Sequence, residues 1–145
     1  MLTTIQPVAL ANELRPILLQ LNRQLRRELA PLGITGGQAT LLHVIKSEPG
    51  LGVRELAARE GMSPPSMSAH VDRLEAAGLV TRARSGVDRR RVRLELTQEG
   101  VRVLRAARSR RTAWLASRLK RLEPAELAAL EAAVDPLSRL LDEES

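Results

Sequence analysis

The stretch from Val53 to Gly78, VRELAAREGMSPPSMSAHVDRLEAAG, constrains this chain more than any other. Its spacing predicts two short helices joined by a tight turn. Val53, Leu56 and Ala57 stand at i, i+3 and i+4 on one face of the first helix, which runs to Glu60. Gly61 tolerates positive φ where that helix must stop. Ser63 is an N-cap for the second helix, and Pro64 takes N1 with Pro65 behind it. Prolines cost little there, because first-turn N–H groups have no intrahelical partner. Met67, Val71 and Leu74 share one stripe of the second helix, and Gly78 lies just past its end. The opposite face carries Ser66, Ser68, Ala69, His70 and Arg73, with no large apolar side chain among them. Two helices built this way bury one face and offer the other to a groove. An ordinary helical hairpin inside a core is the alternative, and the residues downstream of Gly78 decide between them.

After Gly78 the pattern changes from helical to alternating. Leu79 to Arg84 reads as a strand, Ser85–Gly86–Val87–Asp88 as a turn, and Arg89 to Leu96 as a return strand. On the return strand Val92, Leu94 and Leu96 point one way while Arg91, Arg93 and Glu95 point the other. A hairpin directly behind a helix–turn–helix is the arrangement of a winged helix. Residues 82–93 hold six arginines (82, 84, 89, 90, 91 and 93) against Asp88 alone, a net +5 beside +6 for the whole chain. Like charges gathered across a short hairpin repel one another. The arrangement makes sense where a phosphate backbone neutralises it.

Upstream, residues 1–30 read as a helix with Leu10, Leu14, Ile17, Leu18, Leu21, Leu25 and Leu29 close to a heptad seam. Pro16 falls inside it and is expected to kink or split it. Arg15, Arg23, Arg26 and Arg27 of the same segment read as a solvated face. Pro31 and Gly33 end that helix. Thr35 and Gln38 have the spacing of a capping box, opening a helix through Ser47 whose Ala39, Leu41, Leu42, Val44 and Ile45 make it central to the core. Pro49–Gly50 stops it, and Leu51 to Val53 reads as one short strand.

Downstream, Thr97 is an N-cap with Gln98 and Glu99 in the first turn of a helix to Leu122. Glu123–Pro124 marks a boundary. A last helix carries Leu127, Leu130, Val134, Leu137 and Leu141 at three- and four-residue steps, with Pro136 disturbing its final turns. Apolar seams at both ends exceed what one small winged helix can bury, which points to pairing with a second copy; folding back onto the chain's own core is the alternative. The fold class expected is mainly α with a small β-hairpin wing. It divides into an N-terminal dimerisation helix (1–34), a winged helix-turn-helix lobe (35–97) and C-terminal dimerisation helices (98–145).

Composition narrows the function. A chain of 145 residues fits one domain with a real core, and its +6 charge favours an anionic partner, nucleic acid ahead of a membrane surface. All of the cationic residues except Lys46 and Lys120 are arginine, so their placement carries more than their number. With no cysteine there is no disulfide or thiol sensor, and His43 and His70 lie on different predicted helices, so no metal site and no cofactor is expected. No apolar run approaches a membrane span and the N-terminus lacks a signal-peptide pattern, which makes a cytoplasmic protein the expectation. Nothing groups a nucleophile, a base and an orienting residue, and there is no Gly-rich phosphate loop or HExxH, so an enzyme is not expected.

With these residues in place, the chain resembles the MarR-type transcriptional regulators over essentially its full length. The most specific likeness is Asp88–Arg89–Arg90 with Leu94–Glu95–Leu96–Thr97 behind it. The second is Val53-Arg54-Glu55-Leu56-Ala57 with Ser63 to Gly78 and then Leu79–Val80. The resemblance implies a two-fold homodimer on a pseudo-palindromic duplex, acting as a repressor. It sets Ser63, Pro64, Ser66, Met67, Ser68, His70 and Arg73 against the major groove or its phosphates. Arg90 becomes the wing arginine in the minor groove, oriented by Asp88, with Arg84, Arg89 and Arg91 beside it. Thr35 and Gln38 would give backbone N–H groups to a phosphate. The Pro64–Pro65 start and the scarcity of Arg, Asn and Gln depart from a typical reading helix, shifting specificity toward groove width and DNA deformability.

Relatives commonly respond to small aromatic or lipophilic anions. Here Leu14, Arg15, Leu18, His43 and Trp114 are the candidate lining, although His43 reads more readily as a core histidine and Trp114 more simply as an interface anchor. The rival function is a winged helix that binds protein or RNA without operator specificity.

Overall fold

The structure, a computed structural model, describes residues 4–84 and 92–143. Helix α1 spans Pro7–Arg27, and a short 3-10 turn, Ala30–Leu32, comes after it. Then come α2 (Gly36–Ser47), α3 (Val53–Arg59), α4 (Pro64–Ala76), strands β1 (Val80–Arg84) and β2 (Val92–Leu96), α5 (Gln98–Leu119) and α6 (Pro124–Arg139). The chain forms two compact units, Met1–Arg111 and Thr112–Ser145, so the division falls inside α5.

The local signals set most of these bounds. Thr35 accepts from the Gln38 N–H through Oγ1 at 3.1 Å while the Gln38 side chain accepts from the Thr35 N–H at 2.9 Å, a complete capping box. Ser63 caps α4 through the Ser66 N–H at 3.3 Å, with Pro64 at N1. Gly61 and Gly78 take φ of 66° and 76°, a region where a side chain would be strained, and thereby end α3 and α4.

The core of the first unit draws on every element from α2 to α5. Leu42, Leu56, Met67, Val71, Leu74, Val80 and Leu94 are fully buried, joined by Val103, Leu104 and Ala107 of α5 and by Leu29 just past α1. The hairpin is antiparallel, pairing Val80 with Leu96, Arg82 with Leu94 and Arg84 with Val92. These three pairs share the inner face, since partners directly opposite point the same way. Leu94 is buried there, while Arg93 and Glu95 are on the other face.

Three expectations change. Pro16 does not split helix α1, which runs through it as one helix. Leu51 to Val53 is not a strand: Val53 already belongs to α3, and only the Leu51 carbonyl reaches β2, accepting from the Leu94 N–H at 2.8 Å. His43 is exposed on α2 and is no core histidine, because the buried residues Ala39, Leu42 and Ile45 of that helix recur on a different side.

Neither α1 nor α6 buries a residue. In α1, Val8, Leu10, Ile17, Leu18, Leu19 and Leu21 are exposed; in α6, Leu127, Leu130, Val134 and Leu137 are. Each helix thus turns an apolar stripe to solvent in the single chain.

Candidate nucleic-acid interface

Helix α4 splits cleanly by side. Met67, Val71 and Leu74 hold it to the core, so its opposite side is outward by the 3.6-residue repeat. Ser66 and Arg73 are exposed away from the buried stripe, Ser63 and Pro64 are exposed at the helix start, and Ser68 and His70 are half-buried at the edges. The expectation for Met67 is corrected: it is fully buried on the Val71–Leu74 stripe and does not face a groove. The Ser63 hydroxyl donates to Ser66 Oγ at 3.0 Å, which keeps both short side chains close to the helix start.

Two clefts flank this helix. One, of about 260 Å³, is lined by Thr35, Gly37, Gln38, Thr40, Leu41, Glu60, Met62 and His70. It brings together Thr35, Gln38 and His70, residues from separate parts of the sequence with one assigned role. The N–H groups of Thr35 and Gln38 are not available to a phosphate, because each is already held by the other's side chain. Among the described residues, those without a partner in that first turn are the N–H groups of Gly36 and Gly37. The second cleft, about 400 Å³, is lined by Gly52, Val53, Arg54, Glu55, Ser68, Arg82 and Val92. Arg54 is exposed and has no ion-pair partner among the described residues. In the sequence Arg54 is part of a family motif but carries no assigned role; the structure places it in the lining of the cleft that also holds Ser68.

The hairpin arginines are not equivalent. Arg82 reaches back to α4, donating to Asp72 Oδ1 at 2.8 Å and Glu75 Oε1 at 3.1 Å. Arg93 lies 3.4 Å from Glu95 on the outer face. Both are therefore neutralised within the protein, against the expectation that the whole hairpin charge awaits phosphate. Arg84 is exposed and has no carboxylate partner among the described residues. Asp88, Arg89, Arg90 and Arg91 lie outside the described residues.

The candidate ligand residues are scattered over several surroundings. Leu14 is half-buried and Leu18 exposed on α1, Arg15 donates to Asn12 Oδ1 at 3.0 Å, and His43 is exposed on α2. In the second unit Trp114 is half-buried, with the Arg118 guanidinium 5.2 Å from its ring centroid, a cation–π contact. Among the described residues no group of three or more His, Asp or Glu could hold a metal ion, and no helix is long and apolar enough to cross a membrane.

This outward helix, set on a three-helix scaffold with an antiparallel hairpin behind it, can be compared with known proteins. A sequence model of the MarR family matches residues 32–91. The HTH-type transcriptional regulator MT0903.1 of Mycobacterium tuberculosis is 34% identical over 134 residues, covering 92% of this chain and 94% of that one. The chain belongs to the MarR family.

Its fold agrees. A Pseudomonas aeruginosa PA01 protein assigned as a transcriptional regulator superposes with a TM-score of 0.84 at 34% identity, over 98% of this chain and all of that one. A mutant of MepR from S. aureus, bound to an oligodeoxyribonucleotide, has the same fold with a TM-score of 0.72 at 22% identity, over 91% and 97% of the two chains. This MarR-family chain is a transcriptional regulator with a DNA-binding winged helix; its relatives and its fold are those of regulators and not of enzymes.

Proposed function

We propose that the protein is a repressor that binds a pseudo-palindromic duplex as a homodimer in the cytoplasm. The observation that carries the reading is the outward side of α4: short side chains, Arg73 and an Asp72 already paired with Arg82, with Arg54 and Arg84 exposed on the neighbouring elements. Short side chains let a helix backbone approach base edges closely, and guanidinium groups at its borders suit the two phosphate walls of a major groove. Ser63, Pro64, Ser66, Ser68, His70 and Arg73 then meet the groove, and the N-terminus of α2 meets a phosphate through Gly36 and Gly37 in place of Thr35 and Gln38. Arg90, with Asp88, Arg89 and Arg91, serves the minor groove.

The uncovered stripes of α1 and α6 support the homodimer, since burying each exposed leucine or valine against a second copy contributes about 1.5–3 kcal/mol. The division into 1–34, 35–97 and 98–145 is a division by role under this reading. Binding of a small aromatic or lipophilic anion would release the DNA.

Retardation of a duplex from the intergenic DNA beside the protein's own gene, in excess competitor DNA, tests the reading. Affinity is expected to fall with salt with a log–log slope of about −0.9 for each phosphate contact. Arg90→Ala is expected to weaken binding most at A·T-rich flanks. Retardation that competitor abolishes would favour a protein- or RNA-binding module. In parallel, sedimentation should give a dimer that Leu18→Glu or Val134→Glu dissociates; a monomeric wild type refutes the two-fold arrangement.

A further inference from the structure

Arg82 stands apart from the other hairpin arginines. Its strand position pairs it with buried Leu94, on the inner face of the hairpin, and its side chain is only 27% exposed. From there its two terminal nitrogens diverge to two carboxylates three residues apart on α4, Asp72 and Glu75. These carboxylates sit on the helix that the DNA reading sets against phosphate. Left unpaired, they would repel it. Paired, they turn the guanidinium into a bracket between the helix and the first strand of the wing. A planar fork bonded at both ends fixes direction as well as distance, which an ammonium does not.

We infer that Arg82 is a positioning residue: gripping Asp72 and Glu75, it sets the pitch of the β1–β2 hairpin against α4, so that helix and wing meet one duplex together. The inference rests on the DNA-binding reading and deepens it. Arg82 touches no phosphate; it acts through α4. Exposed ion pairs of this kind add little to stability, so the consequence is read in binding.

The test uses fluorescence anisotropy of the full-length protein on the same intergenic duplex across a salt series, with thermal melting of each variant. Arg82→Gln is expected to lower affinity about tenfold, in the range of coupled contacts, with the salt slope unchanged. Arg82→Lys, which keeps the charge and loses the fork, is expected not to restore it. The pair Asp72→Asn with Glu75→Gln removes two anions facing DNA and is nevertheless expected to weaken binding. Adding it to Arg82→Gln should weaken binding no further, because all three act as one unit.

A slope lower by about 0.9 in Arg82→Gln, recovered by Arg82→Lys, would make Arg82 a phosphate contact and overturn the inference. Tighter binding by the amide pair, or unchanged affinity in Arg82→Gln, would overturn it as well. Should Arg82→Gln lose its cooperative melt, the amide pair decides alone by the sign of its effect. A wild type that binds no duplex refutes the DNA reading itself, and this inference with it.

Discussion

Gly100→Ala is the substitution whose outcome the structure fixes most sharply. Gly100 is the third helical residue of α5, and on helix propensity alone alanine there should stabilise by about 1 kcal/mol. An added Cβ, however, would lie 2.1 Å from the Leu79 carbonyl oxygen. Carbon and oxygen in contact ordinarily stand about 3.3 Å apart, so one of the two backbones must retreat by about 1.2 Å. The Leu79 carbonyl is not free to move. It accepts from the Thr97 N–H at 3.0 Å, and the Thr97 hydroxyl donates to Gly78 at 2.6 Å while accepting from the Gly100 N–H at 2.9 Å. Overpacking in a tight site costs about 1–3 kcal/mol, and each hydrogen bond lost adds about 1 kcal/mol. The clash outweighs the propensity gain, leaving a net loss of about 2–4 kcal/mol. Urea denaturation monitored by circular dichroism reads it directly. Gly37→Ala is the control: its Cβ would find only Thr35 Oγ1, at 3.9 Å, and the variant should gain about 0.5–1 kcal/mol. Equal effects of the two substitutions, or a stable Gly100→Ala protein, would refute the close approach.

Met67→Ala should cost about 2–5 kcal/mol in the same assay, as a fully buried side chain does; a groove-facing methionine would leave stability unchanged. Thr35→Ala removes the cap of α2 and should cost about 1 kcal/mol, with the loss confined to stability. Glu99 is held below the ordinary carboxylate range by its hydrogen bond from Arg102, assisted by that residue's charge and opposed by desolvation. A lowered folded-state pKa means stability present above the usual value of 4.5 and lost as pH falls through the lowered one. The melting difference between wild type and Glu99→Gln should therefore be present at neutral pH and vanish in acid.

The elements that sequence foretold best are those whose cause is local. Ser63–Pro64, the Thr35–Gln38 box and the glycines after α3 and α4 each act within one turn, and the structure keeps all of them. What escaped was nonlocal. Arg82 finds its carboxylates seven and ten residues away on another element, so a tally of hairpin charge counted it as free. Gly100 reads as a poor helix former until the Leu79 carbonyl is seen against it. Met67 is a local case: its stripe with Val71 and Leu74 is legible in the sequence, and burial settles it against the groove-facing role that the resemblance implied. His43 stands on a helix with a wide apolar face, and only the packing shows that its own side of α2 meets water.

One hydroxyl has mechanical weight. Thr97 Oγ1 bridges the residue that closes α4, Gly78, and the first turn of α5. The foot of the long helix is thus hinged on the heel of the reading helix. Any tilt of the first turn of α5 must either drag Gly78 along or break two hydrogen bonds at once.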